Sequence, residues 1–169
     1  NFDFAEFNQQ AGRAGRDGAP AAIHLLYGES DRGLNEYLID VDSPTIATLR
    51  AVYRGMKAIA RNGMVRGGNA DIAGTLDLDR VLDRTIAAAL RIFTDSGLVD
   101  VGEDDEGRYV AFRSVGGKVD MERNERYAEG QAIRESFRDF ADMALTAPAE
   151  TLERIVNRPI YPSRVELQK

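Results

Sequence analysis

The chain has 169 residues, 43% apolar and 30% charged, with a formal net charge of −6. This composition suits one ordinary globular domain or two small ones. No apolar run approaches the ~20 residues of a membrane-spanning helix, and no membrane partner is expected. The absence of cysteine excludes disulfides and thiolate metal sites, predicting a reducing, cytoplasmic setting.

The charge is unevenly spread. Residues 1–42 carry −5, residues 43–75 carry +4, residues 76–122 carry −5 and residues 123–169 balance to zero. An acidic chain does not coat nucleic acid with its whole surface, so any polyanion is expected at the basic window. The single histidine, His24, excludes most histidine-based metal clusters, and no serine–histidine–acid arrangement is assigned on it.

In chain order, the sequence opens Asn-Phe-Asp-Phe without an initiator methionine, from which an excised fragment is expected. Phe4 to Gln10 reads as a short helix entering a Gly/Arg loop, Gln9-Gln10-Ala11-Gly12-Arg13-Ala14-Gly15-Arg16-Asp17-Gly18. Ala21 to Tyr27 is continuously apolar and ends at Gly28, the pattern of a buried strand, with His24 structural inside it. Glu29 to Asp42 predicts a short helix and connection. Ser43 as N-cap and Pro44 at the first helical position begin the next helix. Its apolar residues Ile46, Leu49, Val52, Met56 and Ile59 keep helical spacing up to a C-cap at Asn62-Gly63.

Beyond Gly67-Gly68, Asp77 or Asp79 is expected to cap a second helix bearing Leu82, Ile86, Leu90 and Phe93 on one face, closed by Ser96-Gly97. Leu98 to Val101 and Arg108 to Phe112 predict two strands joined by the acidic turn Glu103 to Gly107. Met121 to Leu145 predicts a helix with Tyr127, Ile133, Phe137 and Phe140 inward. A helix from Ala149 to Val156 and an extended tail, Pro159 to Pro162, follow. Helix, glycine-rich turn, helix and hairpin is the order of a winged-helix domain.

Four cations stand out. Arg50, Arg54, Lys57 and Arg61 are spaced 4, 3 and 4, so a continuous helix carries them on one face, away from Leu49, Val52 and Met56. The stripe is either the solvated face of an amphipathic helix or a phosphate-binding surface, and no acid lies between Ser43 and Ala70 to neutralise it. Arg80, Arg84 and Arg91 form a weaker stripe among Asp77, Asp79, Asp83 and Asp95, where salt-bridged surface is expected. Glu103 to Glu106 lacks the alternating ligand spacing of a calcium loop and reads as a solvated turn. Tyr27, Tyr53, Phe93, Tyr109 and Phe112 fall on apolar faces, so core packing is expected over base stacking.

The pattern Gln-x-x-Gly-Arg-x-Gly-Arg at residues 9–16 resembles motif VI of superfamily-two helicases, most of all the RecQ branch. There two guanidiniums on a glycine-rich loop face a transferring phosphoryl group. The resemblance implies nucleotide-facing positions at Gln9, Arg13 and Arg16. No phosphate-cradling Gly-x-x-x-x-Gly-Lys-Ser/Thr accompanies it, so the site is expected to be vestigial or incomplete.

From about Ser43 the chain resembles the C-terminal region of RecJ-type single-stranded-DNA exonucleases. The resemblance runs through "SPTIATLRAVYRGMKAIARNG", "LDRVLDRTIAAALRIFTDSGLVDV" and "RYAEGQAIRESFRDF". That family's nuclease uses Asp-His-His motifs, which one histidine cannot supply; its catalytic core and divalent Mn or Mg are expected on a portion not contained here. No cofactor is expected in this piece.

The expected organisation is α/β followed by mostly α. It comprises the end of a helicase-like α/β domain at 1–42, a winged-helix-like domain at 43–120 and a helical segment at 121–169. The expected role is accessory, in DNA repair or recombination, with single-stranded DNA or single-strand-binding protein as partner. The alternatives are the C-terminal part of a RecQ-like helicase and a protein-interaction module.

Overall fold

The computed structural model describes residues 3–14, 21–117 and 119–156. The chain divides into two units, residues 37–133 and residues 1–36 with 134–169. Across them the fold combines helices with one three-stranded antiparallel sheet.

The unit formed by residues 37–133 begins in the last turns of α2 (Glu29–Asp42) and then forms α3 (Ile46–Ile59). The N-cap of α3 is Thr45, whose hydroxyl accepts from the Thr48 N–H at 3.2 Å, two residues beyond the expected serine. Ser43 is still engaged with the end of α2, its N–H donating to the Ile39 carbonyl at 2.7 Å.

α3 also ends earlier than its apolar spacing implied. Ala60 is extended, and Asn62 and Gly63 both take positive φ, 52° and 76°. Arg61 and Met64 exchange both backbone hydrogen bonds across them. This is the two-residue turn that Asn-Gly favours because both central residues must be left-handed. The pair therefore starts β1 (Met64–Arg66) instead of capping a helix.

Two further helices follow. α4 (Asn69–Leu76), absent from the sequence reading, is opened by Asp71, whose carboxylate accepts from the Gly68 N–H at 2.8 Å. It is closed by Asp77 in the left-handed region. α5 (Asp83–Asp95) starts well after Asp77 and Asp79; its entry is fixed by Thr85, whose hydroxyl accepts from the Leu82 N–H at 3.2 Å.

β2 (Val99–Asp104) and β3 (Gly107–Phe112) form the expected hairpin, with strand order β1-β3-β2. Val99 pairs with Phe112 and Val101 with Val110, while Val65 pairs with Val110 from the other side. Leu49, Val52, Met56, Ile86, Ala89, Phe93, Val99 and Val110 are buried in one core. Tyr53 sets its ring edge-on to Phe93 and Phe112, centroids 5.3 and 5.4 Å apart. Burial of α5's apolar face contributes roughly 1.5–3 kcal/mol per large side chain, far more than helix propensity supplies.

A 3-10 turn (Met121–Arg123) leads into α6 (Glu125–Thr146). Asn124 caps α6 by accepting from the Arg126 N–H at 3.0 Å and ties back to the end of α5 by donating to the Ser96 hydroxyl at 3.2 Å.

In the second unit, α1 (Phe4–Ala11) is capped by Asp3, which accepts from the Glu6 N–H at 2.8 Å. α1 packs with α7 (Ala149–Val156). Phe4, Phe7 and Tyr27 surround Phe140 with centroids 5.6–5.9 Å away. The strand expected at Ala21–Tyr27 does not form. Its residues adopt no regular structure and pair with no strand among the described residues; His24 is exposed and Leu26 is 91% exposed. An apolar run becomes a strand only where neighbouring strands satisfy its backbone, and none is offered here. Ile133, expected inward, is 43% exposed, whereas Phe137 and Phe140 are buried. The tail at Pro159–Pro162 lies outside the described residues.

Candidate nucleic-acid interface

α3 presents three of the four predicted cations on one face. Arg50, Arg54 and Lys57 are exposed, while Leu49, Val52 and Met56 are wholly buried on the other side. Arg61 is exposed too, but it lies past the helix end, in the bridge with Met64, and does not continue the stripe. None of the four has an ion pair among the described residues.

The other arginines of this unit mostly do. Arg113 holds Asp100 through two hydrogen bonds, at 2.6 and 2.5 Å. This contact lowers the Asp100 pKa from its ordinary value and raises that of Arg113. Arg84 pairs with Asp42, Arg126 with Asp95 and Arg123 with Asp120. Arg80 comes no nearer than 3.9 Å to Asp79. Of the second stripe, Arg84 meets Asp42 and not one of the four neighbouring acids, Arg80 reaches Asp79 only at 3.9 Å, and Arg91 has no ion pair among the described residues.

A groove of about 390 Å³ runs beside the α3 stripe. Arg50, Arg54 and Lys57 line it with Tyr53, and the segment after β3 supplies Ser114 and Gly117. Among the described residues no acid lines it, and the charge of a further lining cation, Arg113, is taken up by Asp100. Nothing in the sequence periodicity announced this wall, because residues 113–117 carry no regular structure.

The motif-VI-like residues are less informative. Gln9 lies near the end of α1 and Arg13 in the turn beyond Gly12, both exposed, and Arg16 lies outside the described residues. The structure brings no second nucleotide-binding element to them among the described residues. Those residues also contain no cluster of three or more His, Asp or Glu suited to a metal, and no helix long and apolar enough to cross a membrane.

The acidic turn is not simply solvated. Arg66 of β1 binds Asp104 and Glu106, at 2.7 and 3.0 Å, and lowers the Asp104 pKa chiefly through its hydrogen bonds. Comparison of the chain with protein-family models, curated proteins and solved structures gives no significant match.

Proposed function

We propose that the chain is an accessory nucleic-acid-binding piece whose α3 groove takes the phosphodiester backbone of a single strand. The observation that carries this reading is the set of three exposed cations on one face of α3 that have no ion pair among the described residues, beside a groove that no described acid lines, in a chain of net charge −6. Like charges at helical spacing oppose each other by about 0.2–0.5 kcal/mol per pair, and a bound polyanion reverses that cost. Arg50 to Lys57 spans roughly 10 Å of helix at ~1.5 Å per residue, room for two or three phosphates.

The order α3, β1, α4, α5, hairpin, with sheet order β1-β3-β2, supports a winged-helix reading. In such domains α5 and the hairpin would be the duplex-reading parts. Here the hairpin tip carries Glu103, Asp104, Asp105 and Glu106, which repels a phosphate backbone, so the α3 side is preferred and duplex reading is not. Together with the resemblance to RecJ-type exonucleases, this favours an accessory role in handling single-stranded DNA, with the nuclease chemistry elsewhere.

Ultraviolet cross-linking to an oligothymidylate tests the reading. Cross-linked peptides should come from residues 46–61 and 112–121. Adducts confined to α5 and the hairpin would refute the assignment.

A further inference from the structure

One face of the hairpin carries Val99, Val101 and Glu103 on β2 and Arg108 and Val110 on β3, since paired residues share a face and alternate residues repeat it. Val99 and Val110 are fully buried, whereas Val101, one step further along, is 41% exposed. There the sheet runs out beyond the core and leaves a groove of about 380 Å³ against α5. Ala87, Leu90 and Val101 give this groove an apolar lining, and Arg91 and Arg108 give it two positive charges.

Neither arginine has an ion pair among the described residues. Arg108 is steadied by a 3.4 Å hydrogen bond to the Gly67 carbonyl, a neutral acceptor. The acid that lines the groove, Asp95, is already bound by Arg126. Asn69 contributes a third feature: it lines the groove, and its Oδ1 is buried without a hydrogen-bond donor, so it meets a ligand only when the amide turns outward. Turning that amide toward an incoming N–H breaks no hydrogen bond made by the oxygen.

These features select among ligands. An acceptor in want of a donor suits a peptide backbone, which offers an N–H at every non-proline residue beside its carboxylates, whereas a nucleic acid's N–H groups lie on its bases, away from the phosphates that the arginines would hold. Glu103 sits opposite Arg108 in the register and opposes a long polyanion, while one or two carboxylates fit the forked guanidiniums. The exposed Val101 offers cover to an apolar side chain.

We propose that this groove docks an acidic–apolar peptide segment of another protein. Its carboxylates would lie on Arg91 and Arg108, an apolar side chain over Leu90 and Val101, and a backbone N–H at Asn69. The site is separate from the α3 groove and does not depend on the nucleic-acid reading.

The test uses the whole chain and a fluorescein-labelled hexapeptide of two aspartates, two leucines and two glycines, followed by anisotropy at moderate salt. Saturable binding is expected. The Arg91→Glu/Arg108→Glu variant should weaken it at least about tenfold, with thermal melting by circular dichroism confirming that the variant is folded. Val101→Ala should weaken it less. Arg54→Glu/Lys57→Glu should leave it unchanged, which separates this site from the α3 groove. The proposal is overturned by absence of saturable binding, by equal affinity in the folded arginine variant, or by a leucine-free aspartate peptide binding as well as the mixed one. Loss of oligonucleotide binding in the arginine variant, with peptide binding intact, would overturn it too.

Discussion

Arg66 and Asp104 join the two outer strands of the sheet across the strand between them. Nη1 and Nη2 of the arginine lie 2.7 and 2.9 Å from the two carboxylate oxygens, although β3 separates β1 from β2. On the way the guanidinium passes over Tyr109, 5.8 Å from its ring centroid. Tyr109 in turn covers Gly102 on β2; a Cβ there would stand 2.6 Å from its hydroxyl.

This strap gives the hairpin an acid-sensitive link. The Asp104 pKa is lowered, first by the Arg66 hydrogen bonds, and that of Asp100 is lowered by Arg113. A folded-state pKa below the unfolded one means stabilisation that is present above the unfolded value of ~3.9 and fades as pH falls through the folded value. Denaturant unfolding between about pH 6 and pH 2 should therefore show stability falling at the acid end. Arg66→Gln should make that fall shallower, and an unchanged profile would count against the strap. Both carboxylates are solvent-accessible, so the change is expected to be small.

Two glycines should respond to alanine with opposite signs. Gly74 in α4 has open space where a Cβ would go, so Gly74→Ala should stabilise by about 0.5–1 kcal/mol through helix propensity. Gly130 in α6 is buried, and its Cβ would come within 2.9 Å of the Ser43 Cβ. Overpacking costs about 1–3 kcal/mol, which outweighs the propensity gain. Melting temperatures that rise for both variants would show that the Ser43 contact yields readily.

Phe93 is wholly buried and meets Tyr53 edge-on. Phe93→Ala should cost about 3–5 kcal/mol, read as a lower denaturant midpoint. A loss below about 1 kcal/mol would place the core elsewhere.

What the sequence made legible follows from length and periodicity. α3, α5, the hairpin and α6 announced themselves because each carries enough apolar repeats to define a face. β1 has three residues, too few to show alternation, and α4 has eight with one buried residue, Ile72. Asn62-Gly63 suits a helix C-cap and a two-residue turn alike, and the pairing of Met64–Arg66 with β3, remote in sequence, decides for the turn. Ala21–Tyr27 failed for a different reason, because a strand's existence depends on partners that its own sequence does not encode. At the candidate site, the stripe on α3 was visible up to Lys57. Arg61 falls in the turn, and that Arg91 and Arg108 share one groove without an ion pair among the described residues is visible only through tertiary contacts.

The catalytic expectation is negative: the chain carries one histidine and no phosphate-cradling motif. The purified chain should hydrolyse neither ATP nor single-stranded DNA with magnesium or manganese. Activity abolished by Arg13→Ala or Arg16→Ala would instead support the helicase alternative.

The most direct measurement of the central claim is the salt dependence of single-stranded oligonucleotide binding. Each phosphate contact contributes about −0.7 to the slope of log affinity against log salt. Arg50, Arg54 and Lys57 together therefore predict a slope of about −2, with no sequence preference. Arg54→Glu/Lys57→Glu should weaken binding at least about tenfold at low salt and bring the slope above about −1. Equal affinity and slope for the two proteins, or no binding by the wild type even at low salt, would contradict the assignment of the α3 groove.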